Sequence, residues 1–175
     1  QIKFAIRKLG NNKSPGPDGL PAEFYKIYED IITAPLKEAL DECYKSGGLT
    51  GSMKQGDIVL IYKKKDPKEI RNCRPITLLN SDYKILTTIL AERLKNVCEA
   101  AISGPQKGFV PGRQITDLLH QVYLMQEYVD TYDKEALLAL LDMEKAFDRC
   151  SWEFLKKAMD KIGLEEEIKR WIGTI

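Results

Sequence analysis

The sequence predicts an α+β fold, and three observations lead to that class. Apolar residues recur at helical spacing through most of the chain, two short apolar runs at residues 57–62 and 73–79 flank a charged turn, and the run 137–141 has no polar face. Helical spacing indicates amphipathic helices, and short apolar runs bounded by turn residues indicate strands. With 175 residues, of which 43% are hydrophobic, the chain is long enough to bury the core of one ordinary domain.

Composition excludes several classes of protein. No apolar run approaches the roughly 20 residues of a membrane span, and no charged segment followed by an apolar one opens the chain. We therefore expect an intracellular protein without membrane contact, in either nucleus or cytoplasm. The four cysteines are widely spaced and form no CxxC pair, so they predict reduced thiols rather than a zinc site. The chain begins and ends inside periodic patterns, as expected of a segment of a longer protein.

The first predicted helix ends at Gly10 and leads into a loop at residues 11–21, NNKSPGPDGLP. Within it, residues 17–19 predict a turn, and Pro21 suits the start of the next helix. The loop is either a rigid connection between helices or a short basic loop in which Lys13 contacts a nucleic-acid backbone. A third helix is predicted to begin at Thr33 and to end at Gly47.

The turn between the two short strands is the electropositive feature of a chain whose net charge is only +1. Residues 63–74 hold six basic and two acidic side chains, a local net charge of +4. Such a run is either a solvated tip that prevents edge pairing or a phosphate-binding surface. Arg74 favours the second interpretation, because it lies at the root of an apolar strand and its planar guanidinium suits a triphosphate.

The second half of the chain predicts four more helices. Asp82 is expected to cap a long helix, and Thr116 to cap the next one after a glycine-rich loop, QKGFVPGRQ, at residues 106–114. His120 has no partner motif and is interpreted as a surface histidine. Ser151 is expected to cap a further helix, and a last helix follows from Glu165.

Asp142 is the candidate catalytic residue. The apolar run 137–141 predicts either a strand that is covered on both faces or, since periodicity alone does not separate the two, a buried helix segment of the same length, and Asp142 follows directly at its end. An ionised carboxylate there is costly unless a metal ion or a basic side chain meets it. Asp148, by contrast, precedes a helix start at Ser151 and has an ordinary structural explanation.

Five stretches in order carry a family resemblance: SPGPDG, KKKDP, NCRPITLLNSDYKI, QKGFVPGRQ and LLALLDMEKAFDRCSW. Together they resemble the reverse transcriptase domain of non-LTR (LINE-type) retrotransposons and, at lower resolution, group II intron reverse transcriptases. The resemblance implies a right-hand polymerase fragment: helix-rich fingers with a basic β-hairpin at residues 1–135, then the first strand and helices of the palm at 136–175. The family's second palm motif, two adjacent aspartates on a hairpin, is not in this sequence.

The resemblance also implies roles for single residues. Asp142 matches the first metal-binding aspartate, with the Met143 carbonyl as a further ligand of two expected Mg²⁺ ions. Phe147 matches an aromatic gate that favours deoxynucleotides. Arg74 and one of Lys63, Lys64 or Lys65 match the residues that hold the incoming triphosphate. Contacts with RNA template and DNA primer are expected from basic loop residues, namely Lys13, Lys64, Lys68, Arg71, Lys107 and Arg113.

Two classes of function are consistent with these residues. One is an RNA-directed DNA polymerase, of which the 175 residues are an incomplete and by themselves inactive part, because a two-metal site needs carboxylates from more than one element. The other is a decayed or domesticated copy that binds RNA without catalysis. The joint presence of Asp142, Phe147 and Arg74 favours descent from an active enzyme. The oligomeric state is left open.

Overall fold

The computed structural model describes residues 1–175, with the exception of the side chain at position 96. Seven α-helices and one antiparallel pair of strands make up the fold, which confirms the mixed helix and strand class. The elements are α1 (Ile2–Lys8), α2 (Ala22–Ile27), α3 (Glu29–Ser46), β1 (Gly56–Tyr62), β2 (Cys73–Leu79), α4 (Ser81–Ala101), α5 (Ile115–Thr131), α6 (Trp152–Lys161) and α7 (Glu166–Thr174).

The chain forms two compact units. Unit 1 contains residues 1–92 together with 166–175, and unit 2 contains residues 93–165. Helix α4 therefore begins in unit 1 and ends in unit 2. None of the helices described here is long and apolar enough to cross a membrane.

The hydrophobic core of unit 1 is built largely from α3 and α4. Leu36, Leu40 and Cys43 are buried on one face of α3, and the stripe that starts at Ile85 is buried along α4. Both faces were predicted from helical spacing. Residues spaced three and four apart lie on one side of a helix, so each helix buries its apolar side and leaves charged residues in water.

Helix α7 belongs to the same unit although it lies far away in sequence. The ring of Trp171 packs against Tyr44 with a centroid distance of 5.3 Å. The guanidinium of Arg170 lies 4.5 Å from the centroid of the same tyrosine ring and donates a hydrogen bond of 3.2 Å to the Lys45 carbonyl. These contacts join the last helix to the end of α3.

Three predicted helix starts are wrong. Thr33 lies inside α3, where its hydroxyl donates to the Glu29 carbonyl; the helix starts four residues earlier because Glu29 is buried and held by the guanidinium of Arg7 at 2.7 Å. Asp82 lies inside α4, which begins at Ser81. Thr116 lies inside α5, whose cap is Gln114. The Ser151 cap is confirmed, since its hydroxyl accepts from the Phe154 N–H at 3.1 Å.

The predicted hairpin is confirmed. Strands β1 and β2 pair antiparallel from Gly56 opposite Leu79 to Tyr62 opposite Cys73. A short 3₁₀ turn, Ile70–Asn72, completes the connection, and the side-chain amide of Asn72 donates to the Asp66 carbonyl at 2.9 Å. The tip is therefore held by its own hydrogen bonds, while the apolar strand residues, such as Ile58 at 67%, are exposed.

The predicted buried strand at residues 137–141 is wrong. These residues form no strand, and Leu137 and Leu141 are 94% and 93% exposed. A strand needs a hydrogen-bonding neighbour and a covering layer. The two strands of the described chain pair with each other, and both lie in unit 1. Residues 137–141 pair with neither of them, and apolar composition alone does not make this segment a strand.

Candidate nucleotide and nucleic-acid sites

The loop at residues 11–21 is docked on the junction between β2 and α4. The side-chain oxygen of Asn80 accepts from the Asp18 N–H at 3.2 Å, and its amide donates to the Ser52 carbonyl at 3.0 Å. The Ser81 hydroxyl donates to the Leu20 carbonyl at 3.1 Å. Gly16 allows this close approach, because a Cβ there would lie 2.2 Å from the Asn80 Oδ1 atom. The predicted turn is confirmed by a 3.0 Å bond from the Gly19 N–H to the Gly16 carbonyl.

The basic residues of the hairpin differ in their surroundings. Arg74 lies opposite Ile61 in the ladder and is exposed, as are Lys63, Lys64 and Lys68. Arg71 instead forms a two-pronged ion pair with Glu69, with N–O distances of 2.7 and 2.9 Å. The hydrogen bond between the two groups raises the pKa of Arg71 and lowers the pKa of Glu69.

Lys65 shapes the turn itself. Its backbone has a φ of +73°, in the left-handed region, and its carbonyl accepts from the Tyr62 hydroxyl at 2.6 Å. The turn therefore places three consecutive lysines on an exposed, hydrogen-bonded tip. All three are exposed, so the structure does not reduce the choice among Lys63, Lys64 and Lys65.

Asp142, Met143 and Phe147 lie together in a segment of unit 2 that follows α5 and has no regular secondary structure up to α6. All three side chains are exposed. The Phe147 ring meets the ring of Phe109 edge to face, with centroids 6.2 Å apart. Phe109 belongs to the QKGFVPGRQ loop and adopts a φ of +60°, which is strained for an aromatic residue.

Arg113 holds the same loop against the end of α4. Its guanidinium donates to the carbonyls of Ile102 at 2.7 Å, Gln106 at 2.8 Å and Glu99 at 3.4 Å, and also to that of Ser103. The Glu99 carbonyl belongs to the last turn of α4, whose carbonyls lack partners within the helix, and the carbonyls of Ile102, Ser103 and Gln106 follow it in the chain. Sequence reasoning missed this clamp, although a helix end followed by a glycine-rich loop with one arginine is its signal.

Lys107 also has a structural partner. Its side chain is only 16% exposed and its Nζ lies 3.3 Å from the Asp117 carboxylate at the start of α5. A phosphate role for Lys107 or Arg113 would therefore compete with contacts inside unit 2. The nucleic-acid role of both residues stays a prediction.

Asp142 alone does not make a metal site. Throughout the described part of the chain, no group of three or more His, Cys, Asp or Glu side chains is placed to hold a metal ion. A catalytic two-metal site needs several oxygen ligands from more than one element. The residues present fit one ligand of such a site and not a complete set.

The predicted site residues fall into both units. Lys13 and the hairpin residues belong to unit 1, while Lys107, Arg113, Asp142, Met143 and Phe147 belong to unit 2. Within unit 2, the gate candidate and the carboxylate are five residues apart on one exposed segment that also contacts Phe109.

Comparison with known proteins defines the class. Residues 62–175 match the family described as reverse transcriptase (RNA-dependent DNA polymerase). The matched stretch covers most of the chain and includes Arg74, Asp142 and Phe147. The chain therefore belongs to the reverse transcriptase family.

The relatives place it among the non-LTR retrotransposon members of that family. It is 37% identical over 158 residues to the transposon TX1 uncharacterized 149 kDa protein of Xenopus laevis. The aligned stretch covers 89% of this chain and 12% of that protein. It is 29% identical over 153 residues to the RNA-directed DNA polymerase from mobile element jockey of Drosophila melanogaster, 85% of this chain and 17% of that protein. The probable RNA-directed DNA polymerase from transposon X-element, also of Drosophila melanogaster, is 29% identical over 97% of this chain and 18% of its own length. The chain thus spans less than a fifth of the length of these relatives.

Proposed function

We propose that the chain is part of the catalytic core of an RNA-directed DNA polymerase that extends a DNA primer on an RNA template, using deoxynucleoside triphosphates. The observation that carries this proposal is the joint presence of Arg74, Asp142 and Phe147 inside the family-matched stretch. A binder of RNA would need none of them together. A right-hand arrangement follows from the same resemblance, with fingers at residues 1–135 and the palm from 136. The two compact units divide the chain elsewhere, so this boundary stays a prediction.

Asp142 is proposed as one carboxylate ligand of two magnesium ions, with the Met143 carbonyl beside it. When bound, such ions lower the charge cost of attack by a primer 3′-hydroxyl on the α-phosphate and of pyrophosphate departure. The exposed position of Asp142 supports the assignment, since a carboxylate that water can reach is also open to a cation and a phosphate.

Arg74 and one lysine of the hairpin tip are proposed to bind the triphosphate. Arg74 is exposed and lies on a strand that pairs with its neighbour along its whole length. Its planar guanidinium therefore presents several N–H donors from a fixed position, which suits phosphate oxygens. Phe147 is proposed to contact the sugar and to disfavour a 2′-hydroxyl. Its edge-to-face contact with Phe109 supports a defined ring orientation.

Primer extension by the complete protein tests this function. With magnesium, deoxynucleotides and a primed RNA template, we expect templated extension, and with ribonucleotides much weaker extension. A protein that binds the RNA with ordinary affinity and extends no primer would instead be the domesticated RNA-binding copy. That result would overturn the proposed activity.

A further inference from the structure

Two aromatic rings of unit 2 meet in water rather than in a core. Phe109 belongs to the loop at residues 106–114 and is 98% exposed, and Phe147 belongs to the segment after Asp142 and is 84% exposed. Their ring centroids are 6.2 Å apart and their planes meet at 78°, an edge-to-face arrangement. Both rings lie outside the buried core, so core packing does not explain where they lie.

The backbone of Phe109 is held in an unfavourable conformation. Its φ of +60° lies in the left-handed region, which bulky residues rarely adopt, and such a conformation persists only where the surrounding structure determines it. The next residue, Val110, is 5% exposed, and its carbonyl accepts from the Arg113 N–H at 3.3 Å. The Arg113 guanidinium in turn holds the loop against the end of α4. The loop therefore presents the Phe109 ring from a fixed base.

The backbone around Phe147 is also held by hydrogen bonds. Its carbonyl accepts from the Cys150 N–H at 3.2 Å, and the Lys145 carbonyl accepts from the Arg149 N–H at 3.1 Å. Burial does not fix the Phe147 side chain, and an exposed aromatic side chain can change rotamer. Among the described residues, Phe109 is the only aromatic residue whose ring contacts Phe147.

We propose that Phe109 is a positioning residue that holds the Phe147 ring in the orientation that excludes a ribonucleotide. The inference rests on the proposed function, in which Phe147 contacts the sugar of the incoming nucleotide. A ring that rotates freely leaves room for a 2′-hydroxyl part of the time. An edge-to-face partner favours one orientation by a factor of about 2 to 10. Selection of the sugar therefore depends on a loop that precedes α5 as well as on Phe147 itself.

Nucleotide discrimination by the complete protein tests the proposal. On a primed RNA template, kcat/KM is measured for a deoxynucleotide and for the matching ribonucleotide, and the ratio of the two values is the readout. Phe109→Ala should lower this ratio by a factor of about 2 to 10, because the ribonucleotide is used more efficiently. Phe109→Tyr keeps the ring and should keep the ratio. Tyr123→Ala is the matched control, because Tyr123 is an exposed aromatic residue of the same unit, and it should leave the ratio unchanged.

Two further measurements separate positioning from a general structural effect. Phe109→Gly removes the ring and suits a φ of +60°, so it should lower the ratio as Phe109→Ala does without lowering the unfolding temperature. In a Phe147→Ala background, Phe109→Ala should have no further effect on the ratio, because no ring is left to orient. Phe147→Ala alone should lower the ratio more than Phe109→Ala does.

Three outcomes would overturn the proposal. An unchanged ratio in Phe109→Ala would mean that the Phe147 ring keeps its orientation without Phe109. An equal fall of the ratio with and without the Phe147 ring would mean that Phe109 acts on the nucleotide by itself. An unchanged ratio with weaker RNA binding would mean that Phe109 stacks on a nucleobase instead. Failure of the polymerase proposal is distinguishable, because the unsubstituted protein would then extend no primer with either nucleotide, and this inference would fall with it.

Discussion

Arg113 satisfies the end of α4 with one side chain. We predict that Arg113→Lys lowers the free energy of unfolding by about 1–3 kcal/mol, because an ammonium cannot reach several diverging carbonyls and leaves some of them without a partner. Denaturant unfolding measures the change. Arg149→Lys is the control, since Arg149 is exposed and its distance to Glu144 is 3.9 Å.

The same pair of variants separates the two interpretations of Arg113. If it clamps the loop, the salt slope of RNA binding stays constant while stability falls. Unchanged stability with a smaller salt slope would show that Arg113 contacts phosphate instead. The carbonyl network of the folded protein would then have no energetic weight.

Asp82 and Asp30 should respond to pH in opposite directions. Burial raises the pKa of Asp82, so its ionised form costs stability that the protonated form does not. The hydrogen bond from Lys3 lowers the pKa of Asp30, so its ionised form contributes stability. At neutral pH we expect Asp82→Asn to stabilise the protein and Asp30→Asn to destabilise it.

As pH falls, the Asp82 difference should shrink between its raised pKa and the ordinary carboxyl value of about 4, and the Asp30 difference should shrink only below about 4, towards its lowered pKa. Thermal unfolding from pH 7 to pH 3 measures them. An Asp82→Asn variant that is less stable at neutral pH would contradict the account. It would mean that the helix-terminal charge of Asp82 outweighs its burial.

Among the elements, the loop at residues 11–21 depends on Gly16. We predict that Gly16→Ala destabilises the protein by about 2 kcal/mol or more, because the added Cβ would lie 2.5 Å from backbone atoms of residues 79 and 80. Gly51→Ala is the control, since a Cβ there meets nothing within 4 Å. Equal unfolding midpoints for the two variants would show that the loop is not docked on α4.

The hairpin should separate nucleotide binding from backbone binding. We predict that Arg74→Ala raises the KM for deoxynucleotides or lowers kcat, with an almost unchanged salt slope of RNA affinity. Lys68→Ala should leave the nucleotide kinetics unchanged and reduce the magnitude of the salt slope by about 0.7 units. Arg71→Ala should reduce that magnitude less, because Arg71 is paired with Glu69. An Arg74→Ala variant that alters only the slope would remove the triphosphate assignment.

The predictable elements are those whose evidence is local. Helical spacing identified the buried faces of α3 and α4, and two short apolar runs on either side of a charged turn identified the hairpin. The starts of α3 and α4 were missed, because Glu29 is held by Arg7 from another helix and the Asn80 side chain is used elsewhere. The start of α5 was missed as well. Propensity cannot reveal that a capping residue already has another partner.

At the scale of the whole molecule, the surroundings of the apolar segment at residues 137–141 were predicted wrongly, although the candidate site residue Asp142 directly follows it. The leucines at 137–141 were predicted to be buried, because strands of that composition are normally covered on both faces. They are exposed, because burial depends on the elements that pack against a segment and not on its own sequence. Asp142 was found from its place at the end of that apolar run and from family resemblance, and only the resemblance is independent of the burial that the structure does not show.

The 175 residues by themselves should not polymerise DNA. The described residues offer one proposed metal-binding carboxylate, and two-metal transfer requires more. Primer extension by the isolated segment, beside the complete protein under identical conditions, measures this. Robust extension by the segment would mean that its carboxylates assemble a site unlike the one proposed.

The most direct test of the central claim is Asp142→Asn in the complete protein. Asparagine keeps the shape and removes the charge, so primer extension should fall by a factor of about 10³ or more while RNA affinity stays within about twofold. Both quantities are measured on one preparation with the same primed RNA template. Extension that survives the substitution, or RNA affinity that falls as far as extension does, would contradict the assignment of Asp142 as a catalytic metal ligand.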